Sequence, residues 1–494
     1  MLRKIRIILA SIFFIGVTRL VLDFTGTLHA WRGWMAKIQF LPAALALNFA
    51  VVAVLLILTL LFGRVYCSVI CPLGIMQDII SWIHGKTKKK NRFRFSYSPA
   101  KKWLRYGVLA IFIAALIVGV HSLVALVAPY SAYGRIASNL LAPLYGWGNN
   151  LFAWIAERAG SYAFYSTEVW IKSIPTFVIA AVTFVTIFIL AWKNGRTWCN
   201  AICPVGTFLG FFSRFSLFAP VINTEKCRNC GLCAKQCKTA CINMKEHEID
   251  YSRCVACMDC IDTCKDGAIS FARRTQTKQA VKKDADQGRR AFMVGTGLAL
   301  ASAATANAQK QVGGGLAPII DKTVPQRETP LVPAGAISLK NFTDHCTGCQ
   351  LCVAVCPNQV LRPSTSLMNL MQPQMSYERG YCRPECTKCS EVCPAGAILE
   401  ITKEEKSSIQ IGHAVVDLSL CLVNTDEAKC GNCARHCPAG AIKMVRKNPD
   451  DPKSLMIPTV NEERCIGCGA CENLCPSRPI SAIKIEGHEV LRTI

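Results

Sequence analysis

Apolar and polar positions divide the chain at about residue 210. Before that point lie four nearly unbroken apolar runs, near residues 5–24, 39–62, 104–128 and 173–192. None alternates with the period of a half-buried strand. Each is long enough for a helix across a hydrocarbon core roughly 30 Å thick, which takes about 20 residues. The first run carries Arg19 and Asp23 near one end, so it reads equally as a signal-like anchor, with the same topology. Beyond residue 210 the apolar positions fall into short groups separated by cysteines, glycines and prolines, the pattern of small, loop-rich domains. One further apolar stretch interrupts that half, at 289–309.

Charge orients these runs. The chain carries 56 Lys and Arg against 32 Asp and Glu. The basic residues cluster at Arg3, Lys4 and Arg6, and again between Lys86 and Arg105, a stretch without an acidic residue. The segments 25–38 and 129–172 carry few. Lys and Arg stay on the cytoplasmic side, so the N-terminus, the 63–103 loop and the chain after the fourth run are expected to be cytoplasmic. Segment 289–309 opens on Arg289-Arg290, continues through a mildly apolar core and ends in Ala306-Asn307-Ala308, the pattern of a twin-arginine export signal. That places residues 311–494 in the periplasm, whether the segment stays as a fifth span or is cut; a flexible Ala/Gly linker is the plainer alternative. No basic run is set among aromatics in a nucleic-acid module, so no nucleic-acid partner is expected.

The 29 cysteines define the chemistry. Twenty-four fall into six groups of four with the spacing of cubane iron–sulfur ligands, three thiolates in a tight loop and a fourth that reaches a neighbouring cluster. In the first pair of groups this crossing gives Cys227, Cys230, Cys233 and Cys264 for one cluster and Cys254, Cys257, Cys260 and Cys237 for the other. Lys238 and Lys265 stand where proline usually follows the fourth cysteine, and are expected to raise the potentials. Cys241 is left over, a buried thiol or an alternative ligand. The remaining four groups all end in Cys-Pro, and the expected pairing is outer with outer and inner with inner. Cys346, Cys349 and Cys352 are then completed by Cys475, and Cys465, Cys468 and Cys471 by Cys356. Cys382, Cys386 and Cys389 take Cys437, while Cys421, Cys430 and Cys433 take Cys393. Four cysteines also make a zinc site, but six repeats of this spacing favour six [4Fe–4S] clusters. No Cys-x-x-Cys-His occurs, so no c-type haem is expected. The fold class that follows is a membrane α-helical bundle, four spans plus a fifth signal-like span, with α+β bacterial-ferredoxin-like iron–sulfur domains. Its divisions are 1–210 for the membrane domain, 220–275 for a cytoplasmic two-cluster domain, 276–310 for a basic linker and signal-like segment, and 311–494 for a periplasmic four-cluster domain.

Four cysteines belong to an internal duplication. Gly63-Arg64-Val-Tyr-Cys67-x3-Cys71-Pro72-Leu-Gly74 is matched by Gly195-Arg196-Thr-Trp-Cys199-x3-Cys203-Pro204-Val-Gly206. Cys67, Cys71, Cys199 and Cys203 are candidates for a redox or metal site, with inert packing as the plain alternative. Tyr130, Tyr133 and Arg135 are candidate quinone contacts at the outer face, or else interfacial aromatics and a snorkelling arginine. His121 is the one histidine inside an apolar run, so the chain offers no histidine pair for b-type haem and no evident mid-membrane carrier.

At this point the chain resembles two kinds of protein joined end to end. Residues 1–275, with four apolar runs, the two Gly-Arg-x-(Tyr/Trp)-Cys-x3-Cys-Pro motifs and two cluster motifs, resemble the NapH-type membrane ferredoxin proteins, and the membrane part is also similar to NosR. Residues 289–494 resemble the NapG and MauM type of periplasmic four-cluster protein. The resemblance implies a bacterial inner-membrane electron-transfer protein of anaerobic respiration, a quinol dehydrogenase subunit. It would pass electrons from the quinone pool to a periplasmic reductase or carrier, with further membrane subunits as candidate partners. The alternative is a redox accessory factor for maturing or reactivating a periplasmic metalloenzyme.

Overall fold

A computed structural model describes residues 1–23, 25–87, 94–274 and 321–494. The twin-arginine-like segment 289–309 and the lysines at 88–90 lie outside the described residues.

Two of the four apolar runs form long straight helices, Leu2–Leu22 and Ile174–Asn194, each of 21 residues. At 1.5 Å per residue each extends about 31 Å. Among the described residues these two are long and apolar enough to cross a membrane. The other two runs are broken. The stretch 39–62 divides into Phe40–Leu45 and Phe49–Phe62, because Leu47 turns left-handed (φ 53°) and the Asn48 side chain caps the second helix by accepting from the Val51 amide at 3.2 Å. The stretch 104–128 divides into Lys102–Val118 and His121–Val127 at Gly119 (φ 84°).

The two cysteine-rich regions are small α+β units of short helices and two-stranded antiparallel sheets. The first arm pairs Phe218–Ile222 with Ile269–Arg273 and Ile242–Asn243 with Glu248–Ile249. The second arm has the hairpins Leu361–Pro363 with Pro373–Met375 and Ile442–Arg446 with Met456–Val460, and a longer pair, Ile409–Val416 with Ile483–Thr493.

The two arms lie at opposite ends of both long helices. At the N-terminus of the first helix, Arg3 pairs with Asp259 (2.8 Å) and Asp262 (2.9 Å) of the first arm. Just beyond its other end, Lys388 of the second arm donates to the Thr25 carbonyl (2.6 Å). Before the second helix begins, Lys172 donates to Val353 O of the second arm (2.8 Å). After it ends, the Arg196 amide donates to Lys238 O of the first arm (2.9 Å).

Candidate iron–sulfur centres and the duplicated cysteine motifs

The loops that present the cysteines share a backbone device. In the four compact motifs, the residues flanking the second cysteine are both left-handed: Asn229 and Gly231, Ala256 and Met258, Gly348 and Gln350, Gly467 and Gly469, with φ between 49° and 78°. Such turns aim successive amides into one concavity, which suits an anionic thiolate cluster. At the Cys465 motif the cavity is lined by four thiols, Cys437, Cys465, Cys468 and Cys471, the chemistry an iron–sulfur cube requires. Among the described residues, no group of three His, Cys, Asp or Glu side chains closes to the spacing of a single metal ion.

In the first arm, Cys237, Cys254, Cys257 and Cys260 line one cavity, the crossed grouping expected from the spacing. Cys241 lines it too, with Sγ 3.5 Å from that of Cys237. The extra cysteine is therefore a fifth thiol at this centre. Lys238 does not face a cluster with its charge free. Its ammonium meets Asp259 at 3.0 Å and Asp78 at 3.6 Å.

In the second arm the structure corrects the expected pairing. Cys356, not Cys437, shares a cavity with Cys382, Cys386 and Cys389. Cys475, not Cys393, stands with Cys421, Cys430 and Cys433. Cys437, not Cys356, stands with Cys465, Cys468 and Cys471. Cys393, not Cys475, is the distant thiol that acts electrostatically on Cys346, Cys349 and Cys352. Neighbouring motifs therefore pair. The reason is the connecting hairpins: each leaves the fourth cysteine of one motif, turns once, and returns the chain to the first cysteine of the next. The same hairpin joins Cys237 to Cys254 in the first arm. One centre also has a cationic donor. Lys406, 5% exposed, places Nζ 3.2 Å from Cys382 Sγ and 2.9 Å from Arg383 O.

The duplicated motifs meet as a pseudo-symmetric pair. Gly63 (φ 74°) and Gly195 (φ 69°) end the two helices that precede them, and each following arginine crosses to the other motif. Arg64 donates to Cys199 O (3.1 Å) and Arg196 to Cys67 O (2.6 Å). Gly74 and Gly206 are required where each motif folds back on its own first cysteine, since a Cβ would lie 2.3 Å from Cys67 O and 2.4 Å from Cys199 O. All four cysteines are buried free thiols. Gln77 Nε2 lies 3.2 Å from Cys199 Sγ, and the Gly206 amide 3.3 Å from Cys203 Sγ. Arg64 also donates to Ser252 O of the first arm (3.1 Å), as does Arg105 (3.1 Å), so the cysteine quartet and that arm share a buried guanidinium. Arg196 is held by both oxygens of Asp78 at 2.8 Å, and Asp78 also takes Arg6 at 2.9 Å.

Tyr130, Tyr133 and Arg135 lie on the helix Pro129–Ile136, fully buried against the second arm. A Cβ at Gly134 of this helix would sit 2.3 Å from Cys349 O. Tyr133 bonds Thr18, and Arg135 caps the open carbonyls of Ala125 and Leu126 at the end of His121–Val127. Tyr133 and Arg135 are thus occupied by packing partners; Tyr130 Oη is buried without one. His121 meets Asp344 of the second arm at 3.2 Å.

These features define an iron–sulfur electron-transfer protein of the ferredoxin type, and the comparisons with known proteins agree. A 4Fe-4S binding domain matches residues 45–91 and 176–222, the two halves of the duplication. A 4Fe-4S dicluster domain matches 345–397 and 428–478; the first match holds two neighbouring motifs of the second arm, and the second holds the other two except Cys421. Within this class the chain is similar to the NapH and MauN ferredoxin-type proteins. It is 27% identical to ferredoxin-type protein NapH of Haemophilus influenzae over 245 residues, 48% of this chain and 71% of that one. It is 28% identical to methylamine utilization ferredoxin-type protein MauN of Paracoccus denitrificans over 209 residues, 42% of this chain and 57% of that one. An uncharacterized protein of Methanocaldococcus jannaschii is 33% identical over 100 residues, 20% of this chain, which spans only 40% of that relative's length. No solved structure matches the chain.

Proposed function

We propose that the chain is a multi-pass membrane protein with six [4Fe–4S] clusters that takes electrons from quinol and passes them to a periplasmic reductase or carrier. The observation that carries this reading is the placement of the two arms at opposite ends of both long helices, with the basic N-terminus at the first arm. By the charge rule that arm is cytoplasmic and the second arm periplasmic. The broken helices complete the bundle of residues 1–210 as two further passes. The cluster domains are 220–275 and 311–494, joined through 276–310. In this reading the cysteines of each cavity, paired as the structure groups them, are the cluster ligands, and the first cluster takes Cys227, Cys230, Cys233 and Cys264. The test is anaerobic mixing of the purified, cluster-loaded chain with menadiol. Fast bleaching of the cluster absorbance is expected; a chain that stays oxidised through minutes of mixing defeats the reading. Export is tested separately, because R289K/R290K is expected to leave the second arm inaccessible to protease added from outside.

A second reading is a redox accessory factor. It is favoured by Arg64, which touches Cys67, Cys199 and the first arm together, a geometry suited to electrons passing from a cytoplasmic donor to the four thiols. A deletion strain whose partner enzyme keeps its cofactor and loses only its electron supply would exclude it.

A further inference from the structure

An opening of about 410 Å³ lies between the membrane domain and the second arm. Its size is that of a small-molecule site. Val21 and Leu22 at the end of the first long helix and Phe177 in the first turn of the second set it at the level where those helices end. One wall is the helix Ala142–Arg158, whose outer side exposes Leu144, Trp147, Leu151, Phe152 and Trp154, an aromatic-rich face suited to the lipid interface. The opposite wall is the cluster-bearing chain from Gln350 to Gln359, including Cys356.

Two residues mark this wall as built for a ligand. Gln350 follows the second cysteine of its motif with φ 64°, where Gly231 and Gly469 stand in two other motifs. Gln359 lies three residues past the fourth cysteine with φ 54°, where Gly267, Gly396 and Gly440 stand. Left-handed backbone favours glycine, yet at these two positions the chain carries long amides, and both line the cavity. Gln350 is 2% exposed. Its Oε1 accepts from Ser138 (2.7 Å) and Asn139 (3.1 Å), which orients Nε2 as a donor, and that donor has no partner. A buried unpaired N–H is costly unless something fills the role.

We propose that this cavity is the quinol site, with Gln350 Nε2 donating to a quinone oxygen. The inference rests on the quinol reading above and adds a location to it. A lipid-soluble ring with carbonyl oxygens fits a cavity that faces lipid on one wall, supplies an amide donor on the other, and is lined by Cys356, which belongs with Cys382, Cys386 and Cys389; Gln350 itself stands between Cys349 and Cys352 in the sequence. Quinol leaves as quinone after losing two electrons and two protons: clusters held by those two cysteine sets would take the electrons, and the protons would pass to water beside the exposed Glu168 side chain. Tyr130, Tyr133 and Arg135 act as the packed floor between the membrane domain and the second arm and do not line the cavity.

The test uses the full cluster-loaded chain and two variants. Gln350→Gly relieves the left-handed backbone and removes the donor; Ala142→Phe fills the cavity from the opposite wall. Both are expected to keep the wild-type iron content and EPR spectrum while the rate of cluster reduction by menadiol falls at least tenfold. An azido-substituted naphthoquinone is expected to label peptides within 138–146, 165–172 or 350–359, with labelling competed by menadione and lost in Ala142→Phe. Labelling elsewhere, labelling that menadione does not compete, or wild-type reduction rates in both variants would overturn the site. Competed labelling here in a chain that menadiol does not reduce would support the site and bring down quinol oxidation instead.

Discussion

The two arms are attached to the membrane domain by opposite kinds of chemistry. The first arm is held by charge. Arg3, Arg6, Arg196 and Lys238 converge on Asp78 and Asp259, and Arg64 and Arg105 converge on Ser252. Among the described residues, the second arm's junction has no such buried cluster of ion pairs and is held by dispersed contacts: the close approach of Gly134 to Cys349 O, the amide of Gln350 with Ser138 and Asn139, and Trp170 between the guanidinium groups of Arg362 (4.6 Å) and Arg379 (4.4 Å). The 410 Å³ cavity lies at the second junction. Arg3 and Arg6 of the basic N-terminal stretch also lock one arm, while the other end leaves room for a ligand.

The largest expected effect comes from breaking the charged junction. Asp78→Asn takes from Lys238 of the first arm one of its two carboxylates and leaves Arg196 beside it buried without one, a change that costs about 3–5 kcal/mol when one member of a buried ion pair is removed. Loss of the first arm's cluster signals and earlier proteolysis at residues 210–274 are expected, with the second arm's signals kept. The matched change at the other junction, Asp344→Asn, removes a side chain that is 43% exposed and faces only His121, so its expected cost is below about 0.5 kcal/mol. Equal losses from the two substitutions would erase the contrast. Acid probes the same difference. Burial alone would raise the Asp259 carboxyl, but Lys238 and Arg6 outweigh it and hold it low, and burial at Asp78 is outweighed by Arg196 and Lys238 in the same way. A carboxyl lowered on folding stabilises fully above its unfolded value, about 3.9, and that stabilisation is lost as pH falls through the folded value. The first arm is thus expected to detach in acid before the second, as protease cutting at 210–274 at pH 3 and its absence at pH 6.

The next effect is confined to one centre. Cys475→Ser is expected to remove or convert the cluster at Cys421, Cys430 and Cys433 and to spare the one at Cys346, Cys349 and Cys352. Cys393→Ser is expected to do the reverse. EPR of the two single variants reads this directly, and a spectrum in which Cys475→Ser perturbs the Cys346 centre would restore the outer-with-outer pairing.

That pairing shows where the sequence stops being legible. The ligand cysteines are marked by spacing alone, because the tight loop that grips a cube needs its three thiols within a few residues. The duplication is legible for a similar reason: Gly74 and Gly206 have no room for a side chain, and Arg64 and Arg196 have fixed carbonyls to reach. Which fourth cysteine joins which triplet depends on hairpins whose strands are only three to five residues long and carry little pattern of their own. The apolar runs hid their breaks, since Leu47 adopts a left-handed turn that no leucine announces. The cavity was invisible because Gln350 and the helix Ala142–Arg158 that frame it are some 200 residues apart, and Arg135, read as a headgroup contact, is consumed by carbonyls ten residues before it. In hindsight the legible clue was an amide at a loop position that two of the three sibling motifs give to glycine.

The smallest effect tests whether charge, which locks the first arm, has any electronic part to play in the second. Lys406 is the buried cation there that reaches a cluster thiol: burial would lower its pKa, but Cys382 and its neighbours raise it, so the ammonium stays charged with Nζ 3.2 Å from Cys382 Sγ. A charge-assisted hydrogen bond to a ligand sulfur stabilises the reduced, more negative cluster and lifts its potential. Lys406→Met keeps the buried length of the side chain and removes the donor. If about 1.4 kcal/mol of differential stabilisation is lost, a one-electron potential falls by about 59 mV. The prediction is a drop of that order, by EPR-monitored redox titration, for the cluster at Cys356, Cys382, Cys386 and Cys389 alone. A shift spread over several centres would mean that Lys406 acts on the arm's folding, since its bonds to Arg383 O and Cys386 O also hold that loop. A shift confined to one centre would make Lys406 the residue that orders this cluster's potential above its neighbours, beside the cavity where Cys356 is also exposed to a ligand.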